Sequence, residues 1–412
     1  MKSVPVNAPK ILTLNGGSSS IKFALFESGL ALRRVWSGSI ARIGLPGASL
    51  TVMDLAGGSR VSQKISAPTH LAAVRVLTQW MEKKIAPGEL AAIGHRIVHG
   101  GPKYHLPRRI TPKLLRDLRR FTPFDPEHLP AEILLTEAFL LRFPKLPQFV
   151  CFDTAFHHNL PRIAQLLPIP LRYYAKGVRR YGFHGLTYEF LLGELRRIAG
   201  ARTANGRLIL AHLGNGASLA AVKNGRPVDT SMSLTPTAGL PMSTSSGDLD
   251  PGLAWYLART ETMSPRQFNH LVNFQSGLLG LSGSSSDMRD LLQRSARDPR
   301  AAAAIAVFCY QTKKFIGAYA AALGGLDTLV FSGGIGEHAP VVRARICDDL
   351  AFLGIHLDKR KNAANAVLIS TRSSRVAVYV IPTDEECLIA QTVCRLLGLP
   401  LEKNRRHEKA KN

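Results

Sequence analysis

The same short pattern occurs twice in this chain, about half a chain apart. Around residues 11–26, and again around 207–228, an apolar segment runs into a turn rich in Gly, Asn and Ser and is followed by a second apolar segment. The large apolar side chains of "IKFAL" fall at alternate positions, which is the period of a β-strand. We therefore predict two hairpins. A repeated hairpin in a chain of 412 residues, too long for one ordinary core, predicts duplicated α/β domains.

Helical periodicity follows the first hairpin. Apolar residues recur at helical spacing in "THLAAVRVLTQWMEKKI", whose Lys83 and Lys84 are expected in the last turn. Further helices are predicted over "TPKLLRDLRRF", where Pro112 suits the first turn, over "AEILLTEAFLLRF" and over about 300–323. A third glycine turn, "LVFSGGIGEH", is predicted at the end of another apolar strand.

Composition limits the classes of partner. No apolar run reaches the roughly 20 residues that a membrane span needs, and "MKSVPVNAPK" has no secretory pattern, so a cytoplasmic protein is expected. The net charge of +24 raises nucleic acid as a rival partner. The basic residues are dispersed, however, and no nucleic-acid motif is recognised, so we expect a solvated surface that attracts small anions. The five cysteines have no metal spacing and are expected to be buried free thiols.

The three glycine turns are candidate phosphate cradles. Gly and Ser let backbone N–H groups converge on an anion, and hydroxyl groups add donors. No GxxxxGK[ST] motif occurs, so a P-loop is excluded. Lys22 follows the first turn, and either solvent or a phosphate in that turn would be its partner. Three such turns at strand ends predict a split nucleotide site.

The motifs in their order resemble acetate kinase and the wider family of acyl-phosphate-forming kinases, within the sugar kinase, heat-shock-protein and actin superfamily. The matching segments run from "LNGGSSSIKF" through "GHRIVHGG", "FDTAFH", "RRYGFHG", "HLGNGAS", "TSSGDLDPG", "SGSSSDMRDL" and "FSGGIGEH" to "IPTDEE". The resemblance implies duplicated ribonuclease-H-like α/β domains flanking a cleft. It also implies reversible transfer of a phosphoryl group from ATP to a short carboxylate, such as acetate, giving ADP and an acyl phosphate.

The pattern along the chain gives a domain plan, and the resemblance places its last helix. We predict an N-terminal α/β domain at 1–155 and a C-terminal nucleotide-binding α/β domain at 156–384. The helix at 385–400 is expected to return to the first domain, and 401–412 form a basic tail. A homodimer is expected as well.

The resemblance assigns roles residue by residue. Arg96 would hold the carboxylate and the phosphoryl group in flight, because a guanidinium offers a planar fork of donors. Asp153 and Glu385 would position Mg²⁺ or Mn²⁺ with Asn15, and His184 would donate to the phosphoryl group. The phosphates of ATP or ADP and the adenosine would meet Asn15, Ser18, Ser20, Lys22, His212, Asn215, Gly216, Asp287, Met288, Arg289, Gly334 and Ile335. An apolar pocket for the acyl group would include Val98, Phe183 and Pro236, and it leaves acetate and propionate undecided.

The chain departs from the family pattern at three positions. Ser245 stands in "TSSGD", where the family has a second active-site arginine, and losing such an arginine costs on the order of 10³-fold or more in rate. Asp125 occupies the neighbourhood of a family histidine, for which His128 would substitute only if the loop shifts. His338 replaces an asparagine that borders the adenine.

Three hypotheses follow from these departures. The protein is an acyl kinase in which Arg96, His184 and Mg²⁺ carry the transition state and Ser245 limits the rate. Alternatively, it is a kinase of the same fold with a different carboxylate or another phosphoryl donor such as pyrophosphate. In the third hypothesis it has lost catalysis and binds nucleotide as a regulatory protein. We favour the first, because four catalytic motifs are intact.

Overall fold

The computed structural model describes most of the chain, namely residues 8–17, 19–29, 31–55, 57–86 and 88–401. The described part divides into two compact units. The first comprises the residues up to Ala155 together with those from Asp384 onward, and the second comprises Phe156–Thr383. Of the predicted basic tail, residues 402–412 lie outside the described residues.

The first unit is built on an eight-stranded sheet. Its strands are β1 Lys10–Gly16, β2 Ser20–Glu27, β3 Arg33–Ala41, β4 Ser49–Asp54, β5 Arg60–Lys64, β6 Leu90–Ile97, β7 Arg108–Arg109 and β8 Gln148–Phe152. Its first three helices are α1 His70–Glu82, α2 Pro112–Phe121 and α3 Leu129–Arg142, with a 3₁₀ turn at Thr122–Phe124.

The second unit is built on a five-stranded sheet. Its strands are β9 Arg207–Leu213, β10 Ala217–Lys223, β11 Arg226–Thr230, β12 Thr328–Ser332 and β13 Ala377–Val380. Its helices are α4 Arg162–Gln165, α5 Arg172–Ala175, α6 Gly185–Ala204, α7 Gly252–Thr260, α8 Pro265–Phe274, α9 Gly277–Ser282, α10 Met288–Arg294, α11 Pro299–Leu323, α12 Gly333–His338, α13 Pro340–Cys347 and α14 Lys359–Ala363. Short 3₁₀ turns cover Phe156–Asn159 and Ala351–Leu353.

The two sheets share one strand order. The second sheet runs β11-β10-β9-β12-β13, and the central five strands of the first run β3-β2-β1-β6-β8. In both, the first three strands in sequence are antiparallel neighbours, and two later strands join parallel to the first of them. The predicted duplication of an α/β domain is therefore confirmed.

The first unit carries helices on both faces of its sheet. The apolar side chains of α1 and α3 form one core with the Leu12 and Leu14 side of β1. The last helix of the described chain, α15 Glu385–Leu397, packs on the other face, against β1 and β6. Contact there is close, because a Cβ added to Gly94 of β6 would lie 2.5 Å from Ile389. Gly94 thus lets α15 lie directly on the strands.

The second unit has a comparable arrangement. Tyr188, Leu191 and Leu195 of α6 pack with one side of β9, β10 and β12. The long helix α11 packs against β9, β10 and β11, and its N-cap is Asp298, which accepts from the backbone of Arg300 and Ala301. A carboxylate at an N-cap satisfies N–H groups that have no partner inside the helix.

Local sequence signals explain several helix boundaries. Thr69 and Thr111 cap α1 and α2 through their side chains, and Pro112 occupies the first turn of α2 as predicted. One expectation was wrong: α1 ends at Glu82, so Lys83 is its C-cap and Lys84 lies beyond the last turn. The long helix predicted at about 300–323 is confirmed as α11.

Two predictions from composition can be compared with the structure. The five cysteines are thiols that form no disulfide; four are buried, and Cys387 is half-buried. None of the described helices combines the length and the apolar character needed to cross a membrane.

Candidate active site

The end of β6 in the first unit places one arginine among three carboxyl groups. Arg96 donates from Nη2 to Oδ2 of Asp153 at 2.8 Å and from Nη1 to Oε1 of Glu132 at 3.1 Å. Its Nε lies 3.9 Å from Oε2 of Glu385. Asn15 joins the group, because its Nδ2 donates to Oε2 of Glu385 at 3.0 Å and its Oδ1 accepts from Arg96 Nη1 at 3.5 Å. Four residues that the sequence proposed as site residues therefore lie together.

Five elements supply this cluster. Asn15 lies on β1 and Arg96 on the neighbouring β6, while Asp153 directly follows β8 and donates its backbone N–H to Ile97 at 3.0 Å. Glu385 opens α15 and Glu132 lies in the first turn of α3. Because β1, β6 and β8 are parallel neighbours, the ends of β6 and β8 meet at one edge of the sheet.

Glu132 is the site residue that sequence reasoning missed. Its side chain is only 1% exposed, and its second oxygen accepts the backbone N–H of Val98 at 2.7 Å. A signal was present: Glu132 is spaced with Leu129, Ile133 and Thr136 on the buried face of α3. An acid on the apolar face of a helix needs a buried partner.

Burial and charge act in opposite directions within this cluster. Burial lowers the pKa of Arg96, but Asp153, Glu132 and Glu385 outweigh burial and raise that pKa above its ordinary value. The guanidinium therefore stays cationic. Burial raises the pKa of Glu132 to about 7, against the charge of Arg96 and the N–H of Val98, which lower it.

The first hairpin presents its predicted residues close to this cluster. Asn15 and Lys22 are paired directly across the hairpin, and Lys22 is exposed. The strands extend into the glycine-rich segment, so Asn15 and Gly16 belong to β1 and Ser20 begins β2. The backbone O of Ser20 accepts from Gly17 N at 2.7 Å. Ser18, also proposed for phosphate, lies outside the described residues.

In the second unit, His184 is held in an unusual conformation. It precedes α6 with φ 57° and ψ 26°, in the left-handed region that side-chain-bearing residues rarely adopt and that is found at functional sites. Its Nδ1 lies 2.8 Å from Oγ of Ser218, which in turn lies 2.5 Å from Oη of Tyr188. The ring is thereby fixed, and its centroid lies 4.5 Å from that of His212.

Two glycines allow close packing around this segment, one beside His184 and one beside His157. A Cβ on Gly216 would come within 3.1 Å of Nε2 of His184, and a Cβ on Gly182, at φ 71°, would lie 2.6 Å from the ring of His157. His157 donates from Nε2 to the backbone O of Phe183 at 3.1 Å. The "GFHG" segment is thus set by close backbone packing.

The second and third glycine segments lie side by side in the second unit. Strands β9 and β12 are parallel, with Ser332 opposite His212. The "GNG" turn between β9 and β10 approaches the start of α12, because a Cβ on Gly214 would lie 3.9 Å from the N atom of Gly334. His212, Asn215 and Gly216 are therefore near Gly334 and Ile335.

The third glycine segment is not the turn that the sequence predicted. Residues 333–338 form helix α12, and Ala339 N donates to the carbonyl of Ile335 at 3.0 Å. Gly333 permits the sharp change of direction with φ 75°, and Glu337 accepts the N–H of Gly333 at 2.8 Å. His338 is the last residue of α12 and is exposed.

Other predicted nucleotide residues lie elsewhere in the second unit. Asp287 is the N-cap of α10, accepts from Arg289 N at 2.8 Å and forms an ion pair with the Arg289 side chain at 2.6 Å. Met288 is buried, and α10 packs against α11. Ion pairing lowers the pKa of Asp287 and raises that of Arg289.

Ser245 and the apolar residues can also be placed. Ser245 is half-buried and donates from Oγ to the carbonyl of Asn273 at 3.2 Å. Val98 is buried in the first unit at the end of β6, whereas Phe183 is buried in the second unit. Pro236 lies in the loop after β11 and is half-buried.

The oxygen donors of the first unit suit a hard cation. Asn15, Asp153 and Glu385 present amide and carboxylate oxygens, and the carboxyl groups around Arg96 outnumber its single positive charge. Mg²⁺ prefers such oxygens and takes its other ligands from water and phosphate. Among the described residues, no group of three or more His, Cys, Asp and Glu side chains forms a ready metal cage. The residues fit a metal that arrives with phosphate.

Sequence comparison gives one family over almost the whole chain. The pattern of the Acetokinase family matches residues 10–391. An acetate kinase of Rhodopseudomonas palustris is 44% identical over 392 residues, covering 94% of this chain and 98% of that protein. A propionate kinase of Citrobacter rodentium is 40% identical over 394 residues, covering 94% and 96%.

Structural comparison agrees with the sequence comparison. The crystal structure of an acetate kinase from Porphyromonas gingivalis superposes with a TM-score of 0.85 at 38% identity, covering 95% of this chain and 100% of that one. A propionate kinase from Francisella tularensis gives a TM-score of 0.87 at 34% identity, covering 93% and 98%. The predicted fold class is therefore confirmed.

Proposed function

This chain belongs to the acetokinase family, and we propose that it catalyses reversible, Mg²⁺-dependent formation of acetyl phosphate or a close homologue. As a member of that family, it is a kinase of short-chain carboxylates that uses ATP. An oxygen of the acid forms a bond to the γ-phosphorus, while the bond from that phosphorus to the bridging oxygen of ADP breaks. The products are an acyl phosphate and ADP.

The environment of Arg96 is the observation that carries this proposal. The loose transition state of phosphoryl transfer spreads negative charge over three oxygens and needs fixed cations more than covalent help. Arg96 is a buried, permanently charged guanidinium whose orientation is held by Asp153 and Glu132. Preorganised charge of this kind costs no reorganisation during the reaction. We assign Arg96 to the carboxylate and to the phosphoryl group in flight.

Asn15, Glu385 and Asp153 would hold the metal ion in this proposal. When bound, Mg²⁺ supplies positive charge that neutralises phosphate oxygens and orients them. Asn15 Nδ2 already fixes one oxygen of Glu385, so the donor set is partly preorganised. Mn²⁺ has similar ligand preferences.

In the second unit, we assign His184 to donation toward the phosphoryl group. Its ring is held through Nδ1 by Ser218, whose hydroxyl group also contacts Tyr188, and this supports an oriented donor rather than a mobile surface histidine. The adjoining "GNG" turn and the start of α12 are assigned to nucleotide, because both are glycine-rich and lie side by side. Asp287, Met288 and Arg289 are assigned to adenosine from the resemblance alone.

Ser245 limits the rate in this proposal. Its hydroxyl donates to the carbonyl of Asn273 and adds no positive charge to the second unit. The test also covers the two alternatives from the sequence. One is a kinase with another phosphoryl donor such as pyrophosphate, and the other is a nucleotide-binding regulatory protein. Relatives named for acetate and for propionate are 44% and 40% identical, so the choice of acid is left to experiment as well.

The test is formation of acyl phosphate by the purified protein. Mg-ATP is supplied with acetate, propionate or butyrate, and the product is trapped as the hydroxamate. We expect product with at least one acid and none without Mg²⁺. Pyrophosphate replaces ATP in a parallel reaction, and product there alone would move the protein to another donor.

A variant connects the activity to the site. Arg96→Ala should lose on the order of 10³-fold in kcat while ATP affinity is unchanged, because the lost charge acts in the transition state. Arg33→Ala removes an exposed arginine of the same unit, paired with Glu27, and should keep full activity. Full turnover in Arg96→Ala would show that the site has been misplaced. Absence of product with every acid and donor, while ATP still binds, would favour the regulatory alternative.

A further inference from the structure

The outer side of α2 and the segment before it carry a dense group of cations. Residues 103–120 contain seven Lys and Arg residues but one acid, Asp117. Arg119 forms an ion pair with Glu137 of α3. The other six cationic side chains are exposed, and we call them the basic patch: Lys103, Arg108, Arg109, Lys113, Arg116 and Arg120.

Tyr104 joins the parts of the basic patch into one surface. Cζ of Arg108 lies 4.7 Å from the centroid of its ring, and Nζ of Lys103 lies 5.2 Å from it. The hydroxyl group of Tyr104 donates to Oδ2 of Asp117 at 2.5 Å, and Nζ of Lys103 donates to the same oxygen at 2.5 Å. Nζ of Lys113 lies 3.8 Å from that oxygen. The loop, β7 and α2 thus present their cations together.

The charge of the basic patch is not balanced within the protein. Hydrogen bonds from Lys103 and Tyr104, with the charges of Lys103 and Lys113, lower the pKa of Asp117 to about 2. Asp117 is therefore ionised, and it offsets one positive charge. For the four arginines of the patch, the described part of the chain supplies no carboxylate partner. The patch keeps a surplus of about five positive charges, which a partner with several negative charges would match.

The spacing along α2 suits a chain of phosphates. Lys113, Arg116 and Arg120 are three and four residues apart, so they lie on one exposed face of the helix. They span about 10 Å of helix axis, at roughly 1.5 Å per residue. A nucleic-acid duplex presents about six phosphate charges over that length. Guanidinium groups, four of the six cations here, bind phosphate oxygens with two parallel hydrogen bonds.

The surface is less suited to a membrane or to a protein partner. The apolar side chains of α2, Leu114, Leu115 and Leu118, are buried inside the first unit and cannot insert into lipid. Protein interfaces depend on apolar and aromatic anchors. In the described segment 100–121, Leu106 is the one large apolar side chain that is exposed. The patch therefore offers charge and hydrogen-bond donors with little apolar area.

We propose that the basic patch binds the phosphate backbone of nucleic acid without reading the base sequence. This interaction is separate from the proposed kinase reaction. In the sequence the basic residues looked dispersed, and small anions were the expected partners. The structure places six of them on one surface, because the chain turns at Thr111, the N-cap of α2, and brings β7 next to that helix.

Fluorescence anisotropy with a labelled DNA duplex of about 20 base pairs tests the proposal at salt concentrations from about 50 to about 200 mM. The patch variant carries Arg108→Gln, Arg116→Gln and Arg120→Gln. Its Kd should be at least about tenfold higher than that of wild type near 0.1 M salt. The slope of log K against log salt should become shallower by about 2.7, because each lost phosphate contact removes about 0.9.

Two control variants lose the same number of positive charges elsewhere. The first changes exposed residues of the second unit and carries Arg196→Gln, Arg202→Gln and Lys223→Gln. The second changes the basic tail and carries Arg405→Gln, Arg406→Gln and Lys409→Gln. Both should bind DNA within twofold of wild type. Equal weakening in all three variants would indicate an effect of net charge, and weakening in the tail variant alone would place binding in the tail; either result would overturn the proposal.

A charge-preserving variant excludes damage to the fold. Lysine at the same three positions, in Arg108→Lys, Arg116→Lys and Arg120→Lys, should recover most of the affinity, since the phosphate contacts depend mainly on charge. The melting temperature of the patch variant should equal that of wild type, because the three side chains are exposed. Failure of the lysine variant to bind DNA would contradict binding through charge.

Activity and competition separate this inference from the proposed function. Acyl phosphate formation by the patch variant should match that of wild type, because the changed side chains lie outside the proposed active site. Saturating Mg-ATP at constant ionic strength should not displace the duplex from wild type. Displacement by Mg-ATP would place the DNA in the nucleotide site and overturn the inference, as would the absence of binding at about 50 mM salt. Each of these results leaves the kinase proposal to its own test.

Discussion

Buried polar side chains fix the strand that carries Arg96. His95, the residue before it, is buried and contacts Oε1 of Gln148 through Nε2 at 2.9 Å and Oγ1 of Thr136 through Nδ1 at 3.5 Å. Gln148 in turn donates from Nε2 to the carbonyl of Phe139 at 2.9 Å. Burial lowers the pKa of His95 to about 4, although Gln148 opposes this effect. The ring is therefore neutral, and β6 is joined to β8 and α3 beneath the site.

This neutral histidine predicts a loss of stability in acid. An unfolded histidine has a pKa near 6.5. Between about pH 6.5 and 4, His95 is therefore protonated in the unfolded chain but not in the folded chain. Stability should fall by up to about 3 kcal/mol as pH falls through this window. Urea unfolding of wild type and His95→Gln should show a large advantage of wild type at pH 7 that shrinks toward pH 4. A constant difference across this range would contradict the prediction.

At the scale of residues, part of the candidate site could be predicted from the sequence. Motifs pointed to Arg96, Asp153, Asn15 and Glu385, which the structure brings together, although their roles remain predictions. Glu132 was not proposed: its place on the apolar face of α3 indicates a buried partner, but the local pattern does not show that Arg96 on β6 is that partner. Contacts between distant segments cannot be read from local pattern.

At the scale of elements, period and turn chemistry were good guides. Alternating apolar residues predicted β1, β2, β9 and β10, and helical spacing predicted α11. The wrong prediction was "SGGIGEH", where three glycines in seven residues indicated a turn and the structure has α12. The helix follows from tertiary contacts, since Glu337 ties the N–H groups of Gly333 and Thr383 to one carboxylate oxygen.

The junction between β12 and α12 predicts a strict need for glycine. Gly333 has φ 75°, and a Cβ there would lie 2.7 Å from the carbonyl oxygen of Leu213. Gly333→Ala should lower stability by about 1–3 kcal/mol and weaken ATP binding, because the strained backbone must shift. Thermal unfolding and nucleotide titration measure both effects.

The matched control for this prediction is Gly317→Ala. Gly317 lies inside α11, and a Cβ there meets nothing within 4 Å. Alanine should stabilise that helix by about 0.5–1 kcal/mol. If Gly333→Ala has the same melting temperature as wild type, the junction tolerates a side chain, and the backbone conformation at residue 333 is not the reason for glycine.

At the scale of the whole molecule, one pair of helices lacks a core of its own. None of the residues in α7 and α8 is buried. On α7, the side chains of Trp255 and Tyr256 are 69% and 61% exposed. Large exposed aromatic residues in a cluster are typical of interaction surfaces. The family resemblance predicts a homodimer, and we expect a second copy of the chain to cover α7.

If the predicted homodimer forms through α7, disruption of this surface should dissociate it. Trp255→Asp places a charge at the interface and should raise the dimer dissociation constant at least tenfold, because buried aromatic anchors dominate such contacts. Light scattering after size exclusion measures the mass. Phe352→Asp changes a residue of the second unit that is equally exposed, at 71%, and should leave the mass unchanged. A wild-type monomer, or a dimer in Trp255→Asp, would contradict the inference.

The position of α15 has a consequence for biosynthesis. Strands β1 and β6 are made early, but the helix that covers one face of them begins at Glu385, after the whole second unit. At about 5–20 residues per second, a ribosome needs on the order of ten to fifty seconds to cover that distance. During this time the emerging first unit exposes an apolar sheet face. The nascent chain is therefore a natural client for chaperones, and translation speed sets how long it needs them.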